Sequence, residues 1–180
     1  MRRFLNISRV LNLIAAICGK GIFKRNLKQL KQLGPVERVI FVCTGNICRS
    51  PYAEAFFRSI STGSKETFSR GLFTTPGKAA DPTASRVAEL REINLGSHTT
   101  RSFEPGEIKT SDMILVMDYS HLRTICARAP QLRKQVFYLG AFAPQSKLII
   151  SDPWGKDDHT FMKCFAQIEE SVVSLLGELD

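Results

Sequence analysis

The chain has 180 residues, 43 % of them hydrophobic, five cysteines and a formal net charge of +8. That length makes one domain with at most an appendage, and no apolar run reaches the eighteen residues that a spanning helix needs. The odd cysteine count, without framework spacing, excludes a disulfide scaffold and fits a reducing compartment, so a cytoplasmic location is expected. The charge is not evenly spread. Residues 1–36 carry eight Lys and Arg and no Asp or Glu, leaving 17 Lys+Arg against 17 Asp+Glu in 37–180. A nucleic-acid partner is therefore not expected, because no basic stripe marks the main body of the chain.

Residues 1–36 read as a basic, amphipathic, helical extension, and 37–180 as the main domain. Phe4, Ile7, Leu11, Ile14 and Cys18 recur at helical spacing, as do Phe23, Leu27, Leu30 and Leu33, and Gly34-Pro35 ends the pattern. Four roles fit such a segment: a helix lying on a membrane surface through residues 1–33, a docking element for a partner, a helix packed on its own domain, and a secretory signal. From Arg38 strands and helices alternate: strand 38–43, helix 51–61, strand 66–71, helix 82–93, strand 112–117, helix 119–128, strand 136–139 and helix 159–177. This is the pattern of an α/β fold, a parallel four-stranded sheet with helices on both faces. Ligands of such sheets bind at the carboxyl ends of the strands.

Cys43-Thr44-Gly45-Asn46-Ile47-Cys48-Arg49-Ser50-Pro51 follows the apolar run Val39–Val42. Pro51 suits the first turn of a helix. Strand, short loop and helix in that order let the amides of Thr44, Gly45, Asn46, Ile47 and Cys48 converge on an anion, with the helix N-terminus adding positive potential. Gly45 is expected to take dihedrals closed to other residues, and Asn46 to tolerate a left-handed one. Arg49 offers a planar fork to two phosphate oxygens. The same field favours the thiolate of Cys43, and Ser50 can donate to it. The loop is thus a phosphate cradle holding a nucleophile.

This stretch resembles the signature of the low-molecular-weight protein tyrosine phosphatases, and the likeness extends over most of 38–180. Ser69-Arg70-Gly71-Leu72, Ser97-His98-Thr99-Thr100-Arg101, Met117-Asp118 and Ser151-Asp152-Pro153-Trp154 resemble further landmarks of that family. The resemblance implies hydrolysis of phosphotyrosine in proteins through a phosphocysteine, without metal or cofactor. It implies Asp152 as general acid and base, where the residues alone leave Asp118 and Asp152 both open. It makes Trp154 a wall of the substrate cleft, which Tyr52 and Phe73 are expected to join. It implies that Asn46, Ser69 and His98 support the loop, and that Cys48 can pair reversibly with Cys43 as redox protection. A phosphotyrosine protein is the implied partner, a bacterial tyrosine kinase being one candidate.

His121 and His159 have no metal-ligand spacing, and Asp157-Asp158-His159 reads as a helix cap. Two rival readings share the loop. An arsenate reductase needs further cysteines to relay a disulfide, but Cys126 has no partner about seven residues away and Cys164 falls in the expected last helix. A non-catalytic phosphate-binding module does not need the acid that Asp152 supplies.

Overall fold

Alternating residues of the first strand face two different cores, and this decides the architecture. The computed structural model describes residues 21, 24–63, 65–143 and 147–179. Its elements in chain order are α1 (24–33), β1 (Arg38–Cys43), α2 (Arg49–Ile60), β2 (Glu66–Gly71), α3 (Pro82–Glu89), β3 (Asp112–Val116), α4 (Tyr119–Arg128), β4 (Val136–Tyr138) and α5 (Asp158–Leu179). The four strands form one parallel sheet in the order β2-β1-β3-β4. Val39, Phe41 and Cys43 turn toward the side covered by α1, α2, α3 and α5. Ile40 and Val42 turn to the opposite core, built on Leu122 and Ile125 of α4. Both faces are covered, which is why the central strands β1 and β3 read as near-continuous apolar runs, while the edge strand β2 alternates. Phe41 and Leu115 are fully buried at the centre, where truncation to alanine costs about 2–5 kcal/mol.

The strands fall where the sequence places them, to within a residue. Helix α3 stops at Glu89 rather than at residue 93. Its chain reverses through Glu92, whose φ is 61°, and Ile93 N–H returns to the Ala88 carbonyl at 3.0 Å. This is a glycine-type helix stop carried by a glutamate, so no stop residue marked it in the sequence. Asp81 and Asp118 cap α3 and α4 through hydrogen bonds from Thr83, Ala84 and His121 amides. Asp157 accepts from the Thr160 amide at 3.0 Å, which is the cap foreseen for α5.

Tyr52 does not line a cleft. It is fully buried, its ring stacked on Phe165 at 3.6 Å, and its hydroxyl bonds Glu169 while accepting from Arg91 Nε at 3.2 Å. It sits one turn into α2 on the face that packs against α5, a placement set by helical phase rather than by sequence distance from the loop.

Helix α1 covers the outer edge of the sheet. Gln29 Nε2 donates to the carbonyls of Lys134 and Val136 at 2.9 and 3.1 Å, and Asn26 Nδ2 donates to that of Tyr138 at 3.3 Å. These alternate carbonyls are the ones that β4, as an edge strand, leaves unpaired. Leu30 is buried, and Leu27 and Leu33 pack on the same core. Of the four roles considered for the extension, residues 24–33 show packing on their own domain, which takes their apolar face away from lipid. The membrane and signal readings of residues 1–20 and 22–23 lie outside the described residues. Among the described residues no helix is long and apolar enough to cross a membrane.

Candidate active site

Cys43 ends β1 at the carboxyl edge of the sheet, and the chain turns through 44–48 into α2. Asn46 N–H donates to Cys43 Sγ at 3.2 Å, and Ser50 Oγ lies 3.0 Å from the same sulfur. Asn46 Nδ2 donates to Ser50 Oγ at 2.9 Å, and the serine proton has the sulfur at 3.0 Å as its nearer acceptor and the Arg70 carbonyl at 3.5 Å as the farther one. Two donors therefore converge on the nucleophile, as a developing thiolate needs.

The left-handed residue of the loop is Asn46, with φ 56°, while Gly45 is not in a positive-φ conformation. The expectation for Gly45 thus transfers to its neighbour. Asn46 is fully buried and held from outside the loop. His98 Nε2 meets its carbonyl at 2.7 Å, so that nitrogen carries the proton, and Arg101 N–H donates to its Oδ1 at 2.9 Å. Gly71, at the end of β2, allows this contact: a Cβ there would lie 3.0 Å from the Asn46 Cβ and 2.7 Å from Thr74 Cγ2. Ser69 lies on the neighbouring strand, but its buried Oγ has no hydrogen-bond partner among the described residues. Its hydroxyl is not joined to His98 and Asn46.

Thr44 is exposed and Ile47 half-buried, whereas the side chains of Asn46, Cys48 and Ser50 are buried. What those three offer a phosphate is main-chain N–H. The amides of Thr44, Gly45, Ile47 and Cys48 make no main-chain hydrogen bond among the described residues, as an anion cradle requires. Burial, with Asp81 nearby, pushes the Cys48 thiol well above its ordinary range, and burial pushes that of Cys164 up to about 12. Cys126 lies part-buried on α4.

Arg49 is 2 % exposed and held by three oxygens. Its Nη1 donates to Asp118 Oδ2 at 3.2 Å and the Ile150 carbonyl at 3.1 Å, and its Nη2 to Asp152 Oδ2 at 2.6 Å. Its buried Nε has no hydrogen-bond partner among the described residues. The two carboxylates left open by the residues alone thus meet on one guanidinium, and their surroundings separate them. Burial pushes the Asp118 carboxyl up, but hydrogen bonds from Ser120 and the His121 amide, with the charge of Arg49, hold it below the usual range. Asp118 is an anchor. Asp152 is 48 % exposed at its side chain, next to Pro153, and its other oxygen accepts from Trp154 N–H at 3.2 Å. It is the carboxyl placed to move.

Sequence reasoning missed His121. Its Nε2 lies 2.9 Å from Thr44 Oγ1 and its Nδ1 3.4 Å from Asp118 Oδ2. Burial and Arg49 outweigh the pull of Asp118 and press its pKa down to about 4. Only its place three residues beyond Asp118, on the first turn of α4, hinted at this position.

Phe73, Tyr119 and Trp154 are 61, 62 and 63 % exposed, and each is tied to the site. Phe73 N–H donates to the Thr44 carbonyl at 2.9 Å, Tyr119 follows Asp118, and Trp154 is bonded to Asp152. Arg128 backs the Phe73 ring at 4.8 Å. Large apolar side chains left out of the core beside an anion site suit an aromatic substrate.

The profile of the family described as "Low molecular weight phosphotyrosine protein phosphatase" matches residues 38–180. The low molecular weight protein-tyrosine-phosphatase Wzb of Escherichia coli K12 is 35 % identical over 133 residues, 74 % of this chain and 88 % of that protein. Among solved structures, Wzb of Escherichia coli K30 in complex with sulphate has a TM-score of 0.75 at 31 % identity, covering 81 % of this chain and 99 % of that one. The YwlE arginine phosphatase of Geobacillus stearothermophilus has a TM-score of 0.74 at 28 % identity, covering 79 % and 92 %.

Proposed function

The chain belongs to the low molecular weight phosphotyrosine protein phosphatase family, and from that premise we propose that Cys43 is the nucleophile, Arg49 the phosphate clamp and Asp152 the general acid and base. The enzyme hydrolyses phosphotyrosine in proteins through a phosphocysteine. One observation carries the residue assignment: Asp152 meets Arg49 at 2.6 Å beside a sulfur already facing the Asn46 amide and Ser50.

In the first step the Cys43 thiolate forms a bond to phosphorus in line with the departing tyrosine oxygen. The equatorial oxygens rest on the amides of residues 44–48 and on Arg49, whose Nε is free to donate. Asp152 leaves the guanidinium, carries a proton, and gives it to the tyrosine oxygen as the P–O bond breaks. In the second step Asp152 takes a proton from water, the water oxygen bonds to phosphorus, and the S–P bond breaks to release inorganic phosphate and thiolate. Trp154, with Phe73 and Tyr119, flanks the ring of the substrate.

The test compares leaving groups. Asp152→Ala slows a phosphotyrosine peptide far more than an aryl phosphate whose phenol is strongly acidic; equal losses on both would assign the acid elsewhere. A phosphoarginine peptide run alongside separates this chemistry from that named for the Geobacillus neighbour. The proposed partner is a tyrosine-phosphorylated protein, with a bacterial tyrosine kinase as one candidate, and capture by Asp152→Ala is the way to identify it.

A further inference from the structure

Of the three histidines only His121 is buried, at 2 % exposure, and the mechanism above does not use it. A buried imidazole needs partners for both ring nitrogens. The groups that face it are Asp118 on its own helix, Thr44 and Arg49 from the phosphate loop, and Asp152 from the acid loop. Asp118 Oδ1 accepts from the His121 main-chain N–H at 3.1 Å, and its Oδ2 lies 3.4 Å from Nδ1, with no hydrogen bond formed there among the described residues but with a negative charge that favours the proton on that nitrogen. The other, Nε2, then accepts from the Thr44 hydroxyl at 2.9 Å. Burial and the nearby Arg49 keep the ring neutral, the form this arrangement requires.

Asp118 Oδ2 also accepts from Arg49 at 3.2 Å. One carboxylate thereby fixes both ends of the loop, Arg49 directly and Thr44 through the imidazole. We propose that Asp118, His121 and Thr44 form a positioning relay that sets the span of the phosphate loop from the α4 side, opposite the bracket that His98 and Arg101 place on Asn46. Thr44 directly follows the nucleophile, and its carbonyl holds Phe73. A shift at Thr44 therefore moves both the cradle and its aromatic lip, and shows in turnover and anion affinity together.

Thr44 is exposed, so Thr44→Val removes the hydroxyl without opening the core. With the full-length enzyme, kcat on a phosphotyrosine peptide and affinity for orthovanadate are each expected to fall about tenfold, the scale of one lost hydrogen bond. Thr44→Ser restores both to within about twofold. His121→Phe gives the same loss, and the double variant loses no more than either single one. Wild-type turnover and vanadate affinity in Thr44→Val, or losses that multiply in the double variant, would overturn the relay. Should His121→Phe not fold, the valine and serine variants decide alone. The inference rests on Cys43 as nucleophile: turnover retained by Cys43→Ser would remove that reading, whereas the Thr44 variants, measured against an active parent, test the relay only.

Discussion

Cys43, Asn46, Cys48, Arg49 and Ser50 are each at most 3 % exposed, while Asp152 keeps 48 % of its side chain in solvent. The phosphate loop is bracketed by His98 and Arg101 on one side and His121 on the other. The acid loop is held by a turn in which Trp154 N–H bonds Asp152, by Gly155 at φ 71°, and by one ion pair to Arg49. The difference follows from the chemistry. The cradle must be in place before phosphate arrives, since preorganised donors are worth most when nothing has to move. The acid must first release the guanidinium that phosphate needs, then donate a proton.

The largest way to break this contrast is Asp152→Ala. Turnover of a phosphotyrosine peptide is expected to fall about 10²–10⁴-fold. Inorganic phosphate is expected to bind more tightly at the same time, because a competing carboxylate has left Arg49. Titration by calorimetry checks this, and weaker phosphate binding would mean that the pair assists the cradle rather than competing with it.

On the rigid side, Gly71→Ala forces a Cβ against Thr74 and Asn46. Overpacking of this kind costs about 1–3 kcal/mol. A lowered melting temperature with weakened vanadate binding is expected, and unchanged vanadate affinity would detach Asn46 from the cradle.

The pH dependence of stability sharpens the comparison next. His121 has a pKa near 4 in the folded chain, against about 6.5 when unfolded. Its contribution is fully present above pH 6.5. The unfolded chain gains the proton first as pH falls, so stability drops by about 3 kcal/mol between pH 6.5 and pH 4. His121→Asn is expected to flatten that slope in thermal melts; an unaltered slope would mean that other groups carry it.

The smallest effect lies far from the chemistry. Gln29→Ala frees the carbonyls of Lys134, just before β4, and of Val136 within it, and is expected to cost about 1 kcal/mol of stability, with kcat unchanged. A changed kcat would couple α1 to the site.

The strands and the phosphate loop follow from local patterns, apolar runs and Gly-Asn before Arg-Ser-Pro, whereas Asp152 is set apart from Asp118 in the sequence only by the family resemblance, and its meeting with Arg49, 103 residues away, is seen only in the fold. What stayed hidden depends on helical phase and long-range contact. Tyr52 reads as a cleft residue by its distance from the loop, yet its turn of α2 points it at Phe165. The left-handed dihedral that the sequence allows for Asn46 is there, while the unusual one expected of Gly45 is not, and the His98 and Arg101 contacts that secure Asn46 come from distant segments. His121 lies 77 residues from Thr44 in the chain, so only the packing of α4 beside β1 brings them together. The docking of α1 rests in part on Leu27, Leu30 and Leu33, whose helical spacing is legible, and in part on two amide side chains that carry no pattern of their own.

The central claim, a phosphocysteine on Cys43 resolved by Asp152, meets its most direct test in a rapid denaturing quench of Asp152→Ala turning over an aryl phosphate whose phenol is strongly acidic, so that only the second step needs Asp152, followed by mass mapping. The account predicts one phosphoryl group on the peptide that contains Cys43, absent in Cys43→Ser. Phosphate found on another side chain, or Cys43→Ser turning over at a rate near that of the parent, would contradict it.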